Sequence, residues 1–325
     1  MKYNVFMEAM RMESMGFAFG EPWRPSESAI TCVVPILRDC EDHPQYLILA
    51  KAKKVKISDT GSISKVRIIN EEELPVFVRT GELFKGATQE RASTCSQIIM
   101  PGEKLDIPVV CVHASKGIRA GAELFTHGYV PGRESLFMQH HMGKRSFGQT
   151  NSWAADRAYT TSVYCSTRAG SDQRSAEHPA TWGISGGSSA GSDDLTKARD
   201  KANELFKDLI AKVPLFHNQI GMAIINDRGF HSLDCYDLHA SWKDVKEAIV
   251  GKEVIALSQE DNESVFAFHP DRASRLIKSV LEVGYTEKEL ISRNGVKIIG
   301  LEGNDYIGEV VLLNEEVIHL FLGRN

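Results

Sequence analysis

Short apolar runs, broken by Gly, Pro, Asp and Asn, recur along the first 130 positions. "ITCVVPIL", "YLILAKAKKVKI", "KVRII", "LPVFVRTG", "CSQIIMPG" and "LDIPVVCVHA" follow one another at short spacing and are rich in branched and aromatic residues. Many short strands with regular turn signals predict a sandwich or barrel-like pair of sheets. "DTGS" (59–62) and "MPGE" (100–103) are the clearest turns, because Gly supplies the unusual backbone angles and Pro presets its own. A short helical pattern falls at 6–15.

The pattern changes after residue 130. The stretch 131–165 starts irregularly, and from Ser152 it reads as helical. Residues 166–194, "STRAGSDQRSAEHPATWGISGGSSAGSDD", are poor in apolar residues and rich in Ser and Gly, as in a loop or linker. In 193–213, Leu195, Ala198, Ala202, Leu205, Leu209 and Val213 recur at helical spacing, and Pro214 ends the run. "IGMAIIND" and "GFHSLDCYD" read as a hairpin turned at Asn226–Gly229. "SWKDVKEAIVGKEVIAL" and "DRASRLIKSVLEVG" are two more helices, the second closed by Gly284, and "YTEKELIS" reads as a short turn. "GVKIIGLEG", "DYIGEVVLLN" and "EEVIHLFLG" close the chain as strands, with a turn at Asn314-Glu315. The fold class is therefore α+β. A β-rich sandwich or barrel-like domain (1–130) and an irregular connecting region (131–194) precede an α+β domain (195–325).

Composition narrows the function. A net charge of −5 gives the whole molecule no pull toward nucleic acid. A local basic patch is the remaining route to that activity. Lys51, Lys53, Lys54 and Lys56 in "KAKKVK" form one, with Lys54 and Lys56 on one face and Lys53 on the other. The plainer reading is an edge strand guarded by lysines. No apolar run reaches the eighteen or so residues of a membrane span, and the N-terminal stretch lacks the apolar core of a signal peptide, so a cytoplasmic protein is expected. Cys32, Cys40, Cys95, Cys111, Cys165 and Cys235 form no CxxC pair, which leaves no zinc knuckle and predicts free thiols.

Candidate chemistry gathers in a few places. In "GELFKGATQERA" (81–92), Glu82 reads as a general base or metal ligand, Gln89 as a polar contact and Arg91 as a clamp for phosphate or carboxylate. The bland alternative is a solvent-exposed Glu82–Arg91 pair. "MQHHMGKRSFGQTNSW" (138–153) carries His140, His141, Lys144, Arg145, Gln149 and Asn151. Its adjacent histidines would point to opposite faces of a strand, so no metal ligand set is read there. Lys144 and Arg145 beside Gly143 and Gly148 suit either a phosphate or open solvent. Asp234 in "DCYDLH" reads as a catalytic group at a strand end or as a helix cap. His319 alternates with apolar neighbours in "VIHLFL", as a core histidine or one that orients a carboxylate. Cys111 with His113 is a weak nucleophile–base pattern. "GISGGSSAGS" (183–192) lacks the lysine and preceding strand of a phosphate cradle.

Three segments in order carry a resemblance: "TGELFKGATQERA" with "IPVVCV" after it, "FGQTNSW", and "NQIGMAIINDRGFHSLDCYD" followed by a tryptophan-bearing helix. The terminal "GEVVLLNEEVIHLFLG" adds to it. Over roughly residues 75 to 325 the chain resembles the ARG- and rhodanese-phosphatase-superfamily-associated protein domain, ARG denoting ADP-ribosylglycohydrolase. The resemblance implies a setting linked to ADP-ribose or NAD, without implying a reaction or a cofactor. It also carries a departure. The family pattern has an acidic residue and a basic–aromatic pair after the cysteine, whereas here "VHASKGIR" follows Cys111, with His113 in the acid's place. A function needing that acid is then missing, or rebuilt around His113.

Two functions follow as expectations. One is a binding or regulatory module for a nucleotide- or ADP-ribose-like molecule, with polar contacts from Gln89, Arg91, Arg145 and Gln149. The other is a hydrolase or transferase on such a molecule, with Glu82 or Asp234 as base and His319 or His113 assisting. Nucleic-acid binding through the lysine strand and Lys144-Arg145 is a third, weaker expectation. Convergence of these groups on one point discriminates the first two.

Overall fold

A computed structural model describes residues 2–39, 43–112, 117–130, 195–258 and 269–324, apart from the side chains of 195–198 and 255. Helix α1 (Tyr3–Arg11) leads into β1 (Phe17–Phe19) and β2 (Thr31–Arg38). Nine short strands follow: β3 (Leu47–Ile48), β4 (Val55–Asp59), β5 (Lys65–Asn70), β6 (Val76–Val78), β7 (Glu82–Gly86), β8 (Arg91–Ser93), β9 (Gln97–Ile99), β10 (Lys104–Cys111) and β11 (Glu123–Tyr129). Helices α2 (Leu195–Leu205) and α3 (Lys207–Lys212) precede the hairpin of β12 (Gln219–Asn226) and β13 (Gly229–Tyr236). Helices α4 (His239–Leu257) and α5 (Pro270–Leu281) come next. Four antiparallel strands then close the chain: β14 (Thr286–Arg293), β15 (Val296–Glu302), β16 (Tyr306–Leu313) and β17 (Glu316–Arg324).

The strands form three assemblies. An eight-stranded sheet runs β1-β2-β12-β13-β17-β16-β15-β14, so β1 and β2 from the start of the chain pair into a sheet otherwise made of residues after 218. A six-stranded barrel closes in the order β10-β5-β4-β11-β7-β8, and β3-β6-β9 make a small third sheet. The barrel answers the expectation of a sandwich or barrel, and the whole is α+β.

Alternation places the cores. On one face of the large sheet, Ile36, Leu233, Leu320 and Leu322 pack with Phe6 and Met10 of α1 and Ile277 and Val280 of α5. The other face packs Val33, Met222, Ile224 and Val311 against Trp242, Val245 and Ile249 of α4. The small sheet lies between two cores. Ile48, Phe77 and Ile98 join the large-sheet core, while Leu49, Val76, Val78 and Ile99 join the barrel interior of Ile57, Val66, Ile68 and Phe84. Successive side chains of a strand point to opposite faces, so three residues of β6 stitch barrel to sheet.

Several local expectations hold. Gly61 and Gly102 adopt positive φ in their turns, and Asp59 Oδ1 accepts from the Gly61 amide at 2.8 Å. Asn226 pairs with Gly229 across the predicted hairpin, and Asn314 and Glu315 both turn with positive φ. Others need correction. The N-terminal helix covers 3–11, not 6–15. The helix expected over 193–213 is two helices, interrupted at Phe206 (φ −108°, ψ 19°). "YTEKELIS" is not a turn but most of edge strand β14, paired to β15 around Asn294-Gly295, both at positive φ. Its outward charges hid an edge strand, though Asn-Gly is a strong hairpin signal.

Candidate functional site

The small sheet ends where the chemistry begins. One residue past β6, Arg79 opens a four-residue turn: the Glu82 amide donates to the Arg79 carbonyl at 3.1 Å, with Gly81 at φ 80° as the third residue. A side chain is strained at that φ, which is why glycine stands there. Thr80, inside the same turn, also turns its hydroxyl into the interior.

Arg79 donates to Asp234 Oδ2 at 2.5 Å through Nη2 and to the Thr80 carbonyl at 2.8 Å through Nη1. Asp234 lies within β13, two residues before its end and well short of the helix that begins at His239, which removes the helix-cap reading. Its Oδ2 also takes Lys252 of α4 at 3.3 Å, and its Oδ1 faces His319 Nε2 at 3.0 Å. A carboxylate only accepts, so the His319 ring proton sits on Nε2 and Nδ1 is left as an acceptor. On the same sheet face, Glu309 pairs opposite Phe321, which pairs opposite Asp234. Glu309 accepts from Thr80 at 2.8 and 2.9 Å and from Ser96. The guanidinium of Arg79 stacks on Phe321 at 4.7 Å and Tyr129 at 5.3 Å. Barrel-side turn, sheet and helix thus meet in one buried charged cluster.

The cluster reaches outward on one side. Lys252 Nζ lies 3.5 Å from Glu253 Oε1, and His231 Nε2 lies 3.3 Å from Glu253 Oε2. Register slips between Ile224 and Ile225, which leaves His231 as the extra residue on β13. Such a bulge re-aims a side chain, and half-buried His231 marks the outer end of the network. Gly221 of β12 packs onto the Asp234 carbonyl, where any Cβ would collide.

Two acids of the cluster, Glu82 and Asp234, are driven apart. Burial pushes Glu82 up to about 7, only partly offset by the Thr126 hydroxyl that donates to it and by the charges of Arg79 and Arg199. Burial also acts to raise Asp234, but Arg79, Lys252 and His319 outweigh it and hold that carboxyl well below its usual range. Burial lowers His319, so the ring is neutral. Four polar atoms around Arg79 have no hydrogen-bond partner among the described residues: Arg79 Nε, Glu82 Oε2, Tyr236 Oη and His319 Nδ1.

The predicted site residues divide. Asp234 and His319 are directly bonded, and Glu82 lies close enough to Arg79 to feel its charge. Arg91 belongs elsewhere. It is buried toward the end of the barrel, with Nη1 on the Gln89 carbonyl at 2.6 Å and Nη2 3.4 Å from Asp59. Glu82 and Arg91 are both buried, so the exposed pair does not form. Gln89 is buried beside Arg91, its amide donating to the Gly117 carbonyl. Arg145, Gln149, His113 and the 183–192 loop lie outside the described residues. Cys111, like Cys32, Cys95 and Cys235, is buried and forms no disulfide. The lysine strand expected at 51–56 does not form: only Lys56 lies in a strand, β4, where it pairs with Glu71 at 2.6 Å, while Lys51 sits in a short 3-10 turn 3.7 Å from Asp244. Among the described residues, no group of three His, Cys, Asp or Glu is set to hold a metal, and no helix is long and apolar enough to cross a membrane.

Arg79, Lys252 and Glu309 escaped the sequence reading. Each is a charge inside an apolar run, in "VFVRTG", "AIVGKEVIAL" and "YIGEVVLL", and that misfit was their signal. Two surface hollows, of about 510 Å³ beside Tyr3 and Glu282 and about 480 Å³ beside Lys297 and Asn314, are lined by none of the cluster residues.

Comparison with known proteins extends the resemblance toward the N-terminus. No curated protein and no solved structure matches the chain. A model of the ARG and Rhodanese-Phosphatase-superfamily-associated Protein domain matches residues 19–322, which takes in β1 and β2 as well as the segments from 75 onward. That family is associated with ADP-ribose-related enzymes. The match spans the sheet, the barrel and α4, so the chain belongs to the ARG and Rhodanese-Phosphatase-superfamily-associated Protein domain family.

Proposed function

We propose that this protein recognises a nucleotide- or ADP-ribose-like molecule at the buried cluster around Arg79, as a binding or regulatory module. The carrying observation is the convergence there of Arg79, Glu82, Asp234, Tyr236, Lys252 and His319, four of which hold an unpartnered polar atom. Buried polar groups are nearly always bonded, so such a set favours a polar guest. The family's association supports the choice of guest. Four unbridged thiols suit a reducing, cytoplasmic setting. Arg145 and Gln149 remain contacts expected from the sequence. A thermal-shift screen with ADP-ribose, NAD and mononucleotides tests the reading. A ligand at one hundred times its dissociation constant stabilises the native state by about 2.7 kcal/mol. No shift with any of them removes the proposal.

A second reading, a hydrolase or transferase on such a molecule, draws on the split between the two acids. Environments that drive two carboxyls apart suit one for proton transfer and the other for permanent charge. Glu82, near 7, would exchange the proton, and ionised Asp234 would orient neutral His319. Release of nicotinamide or ribose products from NAD and ADP-ribosylated substrates is the assay. Turnover unchanged in Glu82→Gln would sink this reading.

A further inference from the structure

The charges and hydrogen bonds of the cluster say which part of a ligand fits. Two cations, Arg79 and Lys252, face three carboxylates, Asp234, Glu253 and Glu309, with Glu82 as a further acid beside them. Arg199 is a further cation beside Glu82, and Arg79 and Lys252 each already face a carboxylate before any ligand arrives. The donors that would grip a phosphate are already engaged. Bidentate recognition needs a free guanidinium fork, but Arg79 Nη1 is bonded to the Thr80 carbonyl and Nη2 to Asp234. Lys252 lies between Asp234 and Glu253.

The remaining capacity has a different character. Arg79 Nε is a donor, His319 Nδ1 an acceptor, and Tyr236 Oη and the Glu82 carboxyl can each do either. Their side chains are 1 % exposed or less. Tyr236, Glu82 and His319 all feel the charge of Arg79, and the Tyr236 and His319 rings are 4.7 Å apart. Mixed donors and acceptors around Arg79 complement neighbouring hydroxyl groups, each of which both donates and accepts.

Building on the ligand class proposed above, we infer that the cluster takes the sugar end of the ligand, a neutral or cationic riboside, and not its phosphates. Tyr236 Oη and Glu82 Oε2 bond the hydroxyls, and His319 Nδ1 accepts from one. A diphosphate, where the ligand has one, lies outside the cluster.

Calorimetric titration separates the two ends. The probes are nicotinamide riboside, which is cationic and phosphate-free, inorganic pyrophosphate, and ADP-ribose. They are titrated into the wild-type full chain and into Tyr236→Phe and Glu82→Gln. Tyr236→Phe removes only an unbonded hydroxyl, so the variant folds, and its unfolding curve verifies that. The expected result is binding of the riboside and of ADP-ribose but not of pyrophosphate, with riboside affinity falling roughly tenfold in each variant. Pyrophosphate binding that matches ADP-ribose while the riboside fails overturns the inference and leaves the nucleotide reading standing. Riboside binding unchanged in both variants overturns it as well. Failure of all three probes in the wild type removes the nucleotide reading and this inference with it.

Discussion

Among the described residues two arginine–aspartate pairs are fully buried, and they are built differently. Arg91 and Asp59 meet at 3.4 Å across barrel strands. Asp59 also accepts from the Gly61 amide at 2.8 Å and the Arg119 amide at 3.4 Å, and Arg91 caps the Gln89 carbonyl. Every partner belongs to the barrel or its loops, and the pair pins turns together. Arg79 and Asp234 meet at 2.5 Å between separate assemblies, with Lys252 and His319 on the same carboxylate. Close contact alone does not distinguish a site. Convergence from separate elements, with polar atoms left over, does.

Removing the acid from each pair gives the largest contrast. Asp234→Ala leaves Arg79 and Lys252 buried without their carboxylate and should cost about 3–5 kcal/mol. Asp59→Ala also leaves a buried guanidinium without its carboxylate, but the lost contact is longer and Arg91 keeps the Gln89 carbonyl, so it should cost less, about 1–3 kcal/mol. Urea unfolding of the two variants measures both. Equal losses would mean that the cluster is no more than a second pin.

Acid and base should act on the cluster with opposite signs. Glu82 holds its proton up to about 7 in the folded chain, against an ordinary 4.5. Between those values the folded state binds more protons than the unfolded one. Its contribution is therefore full below pH 4.5 and is lost as pH rises through 7, by about 3 kcal/mol at most. Asp234 behaves oppositely, because its folded carboxyl binds the proton more weakly than the ordinary 3.8. Its contribution is present above that value and is lost as pH falls. Stability measured from pH 4 to 8 in wild type and Glu82→Gln isolates the first effect, which the variant should flatten.

The outer end of the network should matter least. His231→Gln loosens a 3.3 Å contact between a half-buried imidazole and Glu253. It should cost no more than about 1 kcal/mol, checked by thermal unfolding. A loss as large as that of Asp234→Ala would extend the cluster to the surface.

What the chain reveals by itself follows from what is local. The turn glycines Gly61 and Gly102, the Asn226–Gly229 hairpin and a helix over 241–257 depend on neighbours in sequence and were legible. The pairing of β2 with β12 was not, because nothing near "ITCVVPIL" says that its partner lies some 190 residues on. Strand β14 was misread because an edge strand is polar on its outer side. Asp234 and His319 were visible as candidates, but their bond was not, since they sit 85 residues apart on adjacent strands. Arg91 drew attention by residue type, yet its neighbours proved to be barrel-internal. Arg79 was passed over as the end of an apolar run.

The central claim is that ligand recognition resides at the Arg79 cluster and not at the Arg91 pair. Titrating ADP-ribose into wild type, His319→Gln and Gln89→Ala tests it most directly. Wild type and Gln89→Ala should bind with similar affinity, and His319→Gln should lose about tenfold or more. Binding that survives in His319→Gln but fails in Gln89→Ala would contradict it.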